Sequence, residues 1–115
     1  MTISSSLNAG VSGLAANATR LATISDNIAN SSTMGYKRVE TDFHSVVISS
    51  TGGSYSAGGV RSISERLIDQ RGSLVTTSNA TDLAVRGRGF LPVAQATQIE
   101  VANGDTPMFL TTTGS

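Results

Sequence analysis

No cysteine occurs anywhere in the chain, which excludes disulfides and thiolate chemistry and leaves the cellular compartment open. Long apolar runs are missing too. No stretch approaches the roughly 18 apolar residues that a membrane span needs, and no basic region followed by an apolar run marks the N-terminus as an ordinary secretory signal. A chain of this kind that leaves the cell is expected to use another route. Net charge is absent as well: Lys and Arg total 8, Asp and Glu total 8. No long-range field is available to gather nucleic acid or anionic lipid. Aromatic residues are only 4% of the chain, so Arg86 and Arg88 beside Phe90 lack the basic groove and stacking platform of a single-strand binder. The single histidine, His44, has only Glu40 and Asp42 near it in sequence. That falls short of the three or four ligands of a metal site.

What the chain does have is a long, nearly uncharged helical pattern over Leu7 to Asn30. Leu7, Val11, Leu14, Ala18, Leu21, Ser25 and Ile28 alternate at spacings of four and three, the seam of coiled-coil packing. Between Met1 and Tyr36 only Arg20 and Asp26 are ionisable at neutral pH. The remaining positions are mostly Ser, Thr, Asn, Ala and Gly, which let other backbones come close without the desolvation cost of an ion. Such a helix would be about 36 Å long, and Gly10 and Gly13 would each cost it about 1 kcal/mol relative to Ala. It is expected to order only when neighbours cover it. Ser4, Ser5 or Ser6 is expected to cap its start.

After Asn30, SSTMGYKR carries the turn chemistry that ends a helix. Asn27 and Asn30 suit C-cap positions. The next stretch, from Val39, fits both helical and strand spacing and is expected to be a short helical turn leading into extended chain. Ser49 to Gly59 reads as a flexible Gly/Ser loop, the candidate hinge. From Val60 the texture becomes strand-like, with Arg61, Ile63, Glu65 and Leu67 alternating against Val60, Ser62 and Ser64. TQIEVA and PMFLTT flank Asn103-Gly104, a plausible hairpin turn.

Two blocks carry a family resemblance. ISDNIANSSTMGYK, Ile24 to Lys37, resembles the signature of flagellar rod and hook proteins, in which an Asn-rich helix end is followed by Thr-x-Gly-aromatic-Lys. Asn27, Ile28, Ala29, Asn30, Thr33, Gly35, Tyr36 and Lys37 match it, while Ser25-Asp26 departs from it. TDLAVRGRGFLPV, Thr81 to Val93, resembles a second block through Asp82, Gly87, Gly89 and Phe90, with Leu91 in place of a second aromatic and Pro92 intruding. The opening SLNAGVSGLAAN is most similar to hook members.

The resemblance implies an α+β subunit of a tubular axial structure. Residues 1–30 would form the axial helix, 31–58 a connecting segment with the signature turn and flexible loop, and 59–115 the start of an incomplete β-rich domain. Leu7, Val11, Leu14, Ala18, Leu21 and Ile28 would make subunit contacts. Implied partners are further copies, rod and hook–filament junction proteins, the hook cap and the flagellar export apparatus, reached without a cleaved signal peptide. In related proteins the inner wall pairs this helix with a C-terminal one; no second long heptad pattern follows residue 36, so the chain is expected to be truncated and its seam poorly covered.

The resemblance and the residues assign no catalytic, cofactor or metal site. Gly87-Arg88-Gly89 resembles part of a nucleotide loop, but no helix follows to receive phosphate and Pro92 comes too soon. Three N-x-S/T sequons, at Asn17, Asn30 and Asn79, are what chance gives in so Ser/Thr/Asn-rich a chain. A distal rod protein is the alternative within the class. Outside it stands a helix-mediated adaptor or membrane-surface binder, disfavoured by the isolation of Arg20 and the lack of bulky apolar anchors with basic flanks.

Overall fold

The structure, a computed structural model, describes residues 3–47, 57–95 and 108–114. Their fold is α+β: one long helix followed by short antiparallel strand pairs. Contacts group the chain into two units, Met1–Gln70 and Arg71–Ser115.

In the first unit Ile3–Ala29 forms α1, a helix of 27 residues. Ser4, Ser5 and Ser6 lie inside its first turns and not before them, because the helical pattern begins earlier than the apolar seam does. Strand β1, Val39–Val47, pairs antiparallel with β2, Ala57–Arg66, in a register that sets Val39 opposite Arg66, Thr41 opposite Ser64 and Ser45 opposite Val60. The helical turn expected from Val39 is therefore corrected to a strand. Val39, Phe43 and Val46 suit helical spacing while Thr41, Phe43, Ser45 and Val47 suit a strand face, and pairing with the alternating sequence of β2 decides for the extended one. Most of the expected Gly/Ser loop falls outside the described residues, but Ala57, Gly58 and Gly59 belong to β2. Asn103-Gly104 also lies outside the described residues; the partner shown for Phe109–Thr111 is Leu91–Val93.

The hairpin lies on α1, so part of a helix expected to order only when neighbours cover it is covered by the chain itself, on a face away from the apolar seam. The covered face carries Ser5, Ala9, Ser12, Ala16, Thr23 and Asn27, which repeats at fours and threes as the apolar seam does but is displaced from it by two residues. Two residues turn the helix by about 200°, so the two stripes stand nearly opposite one another. Among the described residues only Ala16, at 4% exposure, and Thr41, at 8%, are buried. The contact is thus held by small size and hydrogen bonds more than by apolar volume.

In the second unit two short ladders nest. Leu83–Ala84 (β3) pairs with Thr113–Gly114 (β6), and Leu91–Val93 (β4) pairs with Phe109–Thr111 (β5). The Val85 amide donates to the Thr112 carbonyl at 2.9 Å, carrying the outer ladder one step further. Gly87 and Gly89, at φ +110° and +142°, bend the chain between β3 and β4.

At Gly59 the hairpin comes close to the helix. A Cβ there would overlap Ser12 Oγ and lie 3.5 Å from the Ala9 Cα, and the residue has φ +84°. Gly59→Ala is expected to destabilise the first unit by about 1–3 kcal/mol, through both the strained φ and the blocked approach. Urea unfolding followed by helical circular dichroism measures this, and a midpoint equal to wild type would refute the close packing.

Candidate assembly interface

The residues singled out in α1 divide into those that hold the hairpin and those that hold nothing. The apolar seam belongs to the second group: Leu7 is 67% exposed, Val11 57%, Leu14 73%, Leu21 65% and Ile28 68%. Ala18 is exposed between them. Covering large aliphatic side chains is worth roughly 1.5–3 kcal/mol each. An open row of five is a strong incentive to associate.

The opposite stripe is occupied. Ser12 Oγ donates to the Ala9 carbonyl at 2.8 Å and accepts the Val60 amide at 3.1 Å. Thr23 Oγ1 donates to the Thr19 carbonyl at 3.0 Å and lies 2.8 Å from Thr41 Oγ1, which is 3.0 Å from Ser64 Oγ. Each hydroxyl has one proton. Because that of Thr23 is committed to Thr19, Thr41 donates to Thr23 and Ser64 donates to Thr41. A one-directional hydroxyl relay therefore runs from β2 through β1 into the helix.

The first signature block builds the corner between helix and hairpin. Asn30 does cap α1, its amide and its Nδ2 both donating to the Asp26 carbonyl, at 3.0 and 2.9 Å, and Thr33 Oγ1 donates to Asn30 Oδ1 at 3.1 Å. Gly35 has φ +73° in the turn. Asn27, expected as a second cap, acts differently. Its Nδ2 donates to the Val39 carbonyl at 2.7 Å, and its Oδ1 accepts the Val39 amide at 2.9 Å and the Tyr36 hydroxyl at 3.0 Å. A carboxamide has the donor and acceptor of a peptide group, so Asn27 takes the place of a neighbouring strand at the start of β1. The Arg66 guanidinium lies over the Tyr36 ring, 5.5 Å from its centroid, and donates to the Lys37 carbonyl at 2.7 Å. Lys37 Nζ donates to the Gln70 carbonyl at 2.7 Å.

The second block belongs to the other unit. Asp82 Oδ1 accepts from Asn79 Nδ2 at 3.2 Å in a turn before β3, Gly87 and Gly89 form the bend, and Phe90, 40% exposed, precedes β4. The structure brings Asn27, Asn30, Thr33, Gly35, Tyr36 and Lys37 together and keeps them apart from the seam, on the other side of α1. Sequence reading missed Ser12, Thr23, Thr41 and Ser64. The only signal for Ser12 and Thr23 was the second helical stripe at fours and threes, made of residues with no hydrophobic contrast, and Thr41 and Ser64 read only as positions in strand alternation.

A shallow cleft of about 310 Å³ lies between α1 and β1, bordered by Arg20, Thr23, Ile24 and Asn27 and by Arg38–Phe43. Arg20 stacks over Phe43 at 5.4 Å. The ionisable side chains around it, Arg20, Arg38, Glu40 and Asp42, are all exposed. Among the described residues no group of three or more His, Asp or Glu could hold a metal ion, and no helix is long and apolar enough to cross a membrane. The arrangement offers packing and hydrogen bonding.

A two-sided helix, with a signature corner and a docked hairpin, defines a structural class. Residues 7–37 match the family model described as flagella basal body rod protein. Among the chain's relatives are flagellar hook proteins. The chain is 46% identical over 93 residues to flagellar hook protein FlgE of Brucella abortus, covering 81% of this chain and 24% of that protein. It is 42% identical over 115 residues to that of Rhizobium meliloti, covering 100% and 26%. Flagellar basal-body rod protein FlgG of Caulobacter vibrioides is 31% identical over 102 residues, covering 76% and 39%. The chain thus spans about a quarter of the length of these hook relatives. No solved structure matches it.

Asn27→Ala is expected to cost about 1–3 kcal/mol, since it strips partners from a part-buried amide and carbonyl together. Amide hydrogen exchange at Val39 should accelerate more than exchange at mid-α1. Equal protection of Val39 in the variant would show that the carboxamide does not hold the strand.

Proposed function

We propose that this chain is a structural subunit of the bacterial flagellar hook, polymerising into a helical tube through the apolar seam of α1. The observation that carries the reading is the division of one helix into two faces. The small-residue face is already engaged by the chain's own hairpin, while Leu7, Val11, Leu14, Leu21 and Ile28 stand open. Hook relatives at 42–46% identity support the hook in preference to the rod relative at 31%.

On this reading the chain is structural and not catalytic, and it works at a flagellar site. Subunits arrive through the flagellar export apparatus without a cleaved signal peptide, and meet rod and junction proteins and the hook cap at the ends of the tube. Ala18 provides the shallow point of the seam where helices approach closely. A distal rod role uses the same two faces in a stiffer shaft and rests on the FlgG relative.

Leu14→Asp and Leu21→Asp each place a carboxylate in the seam without touching the hairpin. Sedimentation of the wild-type chain over a concentration series should show growing assemblies. Either variant should raise the concentration needed by about a hundredfold or more, since an unpaired buried charge costs about 3–5 kcal/mol. Assembly of both variants at the wild-type concentration would refute the seam.

A further inference from the structure

The hairpin also has two faces, and the outer one is polar in a directional way. The register aligns Glu40 with Glu65, Asp42 with Ile63 and His44 with Arg61. Strand alternation puts all six on the side away from α1, and all six are exposed. Three carboxylates gather at the end next to the signature turn. Arg61 stands at the far end beside His44, about 14 Å along the strand from Glu40 at 3.4 Å per residue. Ile63, 49% exposed, lies between the two ends.

This face is poorly matched to itself within one chain. Glu40 and Glu65 are directly opposed, and like charges in that position weaken an antiparallel pair. Among the described residues the side chains of Glu40, Asp42, Arg61 and Glu65 have neither an ion-pair nor a hydrogen-bond partner. A repulsive pair at one end of the face, with an unneutralised cation at the other, is resolved when the cation of another copy reaches the carboxylates.

We infer that the outer face of the β1–β2 hairpin is a contact between copies of this chain, with the Arg61 end of one copy seated on the Glu40–Glu65 end of another. The occupant is a second copy because the face carries both charge signs, separated along its length, in a chain with 8 basic and 8 acidic residues. It is complementary to itself once displaced or reversed. The inference rests on the assembly reading and adds to it an electrostatic contact outside the helical seam, where salt can loosen it.

The test uses the whole chain and the variants Glu65→Arg, Arg61→Glu and the double variant. Glu65→Arg turns a repulsive cross-strand pair into an attractive one, so the thermal midpoint should not fall. Self-association measured by sedimentation should nevertheless weaken, by up to about fivefold per contact as exposed ion pairs allow. Its dependence on salt should also shrink, and the double variant should recover association by restoring the pair in reverse. Unchanged or stronger association of Glu65→Arg, or no recovery in the double variant, overturns the inference. Association abolished by Leu14→Asp but indifferent to Glu65→Arg overturns this contact and leaves the seam standing. The opposite pattern overturns the seam alone, and a wild-type chain that never associates overturns both.

Discussion

The fold depends on how closely a backbone can come to the small-residue face of α1. Ser12, Ala16 and Thr23 leave room for β1 and β2 to lie directly on the helix, and Gly59 has no side chain where Ser12 Oγ sits. Larger residues on that stripe would push the hairpin away and break the hydroxyl relay through Thr41 and Ser64. With so little apolar area in the contact, hydrogen bonds set its geometry. Each satisfied bond contributes little, and each bond left unmade in a part-buried site costs more. The contact is therefore specific in register without being strongly adhesive.

That division gives one helix two distinct jobs. Its polar stripe fixes the chain's own hairpin. Its apolar stripe stays available for other helices. The signature residues belong to the first job: Asn27 completes the edge of β1, Asn30 closes the helix, and Tyr36 and Lys37 tie the corner to the end of β2. On the assembly reading both are needed, because neighbours can nest regularly only if the angle between helix and hairpin is the same in every copy.

Much of this was legible in the sequence. The heptad of Leu7 to Ile28 reads directly as an apolar stripe, and Arg61, Ile63 and Glu65 read as one strand face. The signature from Asn27 to Lys37 reads as a helix end and turn. The second helical stripe was not legible, because hydrophobic periodicity cannot register a pattern written in Ser, Ala, Thr and Asn. Strand β1 was obscured by Val39, Phe43 and Val46, whose helical spacing competes with the strand alternation of Thr41, Phe43, Ser45 and Val47 until a pairing partner is known. Asn27 near a helix end suggests a cap, and only the position of Val39 reveals that its carboxamide serves a strand.

The absence of cysteine makes the central claim directly measurable. Single cysteines placed at Leu7, Leu14 and Leu21 on one stripe, and at Ala9 and Ala16 on the other, can be compared by their rates of thiol labelling before and after assembly. The account predicts fast labelling of the first three in the dispersed chain and strong protection once assembled, with Ala9 and Ala16 positions slow in both states. Seam positions that stay reactive in the assembly, or an Ala16 position that labels as fast as Leu14 in the dispersed chain, would contradict it.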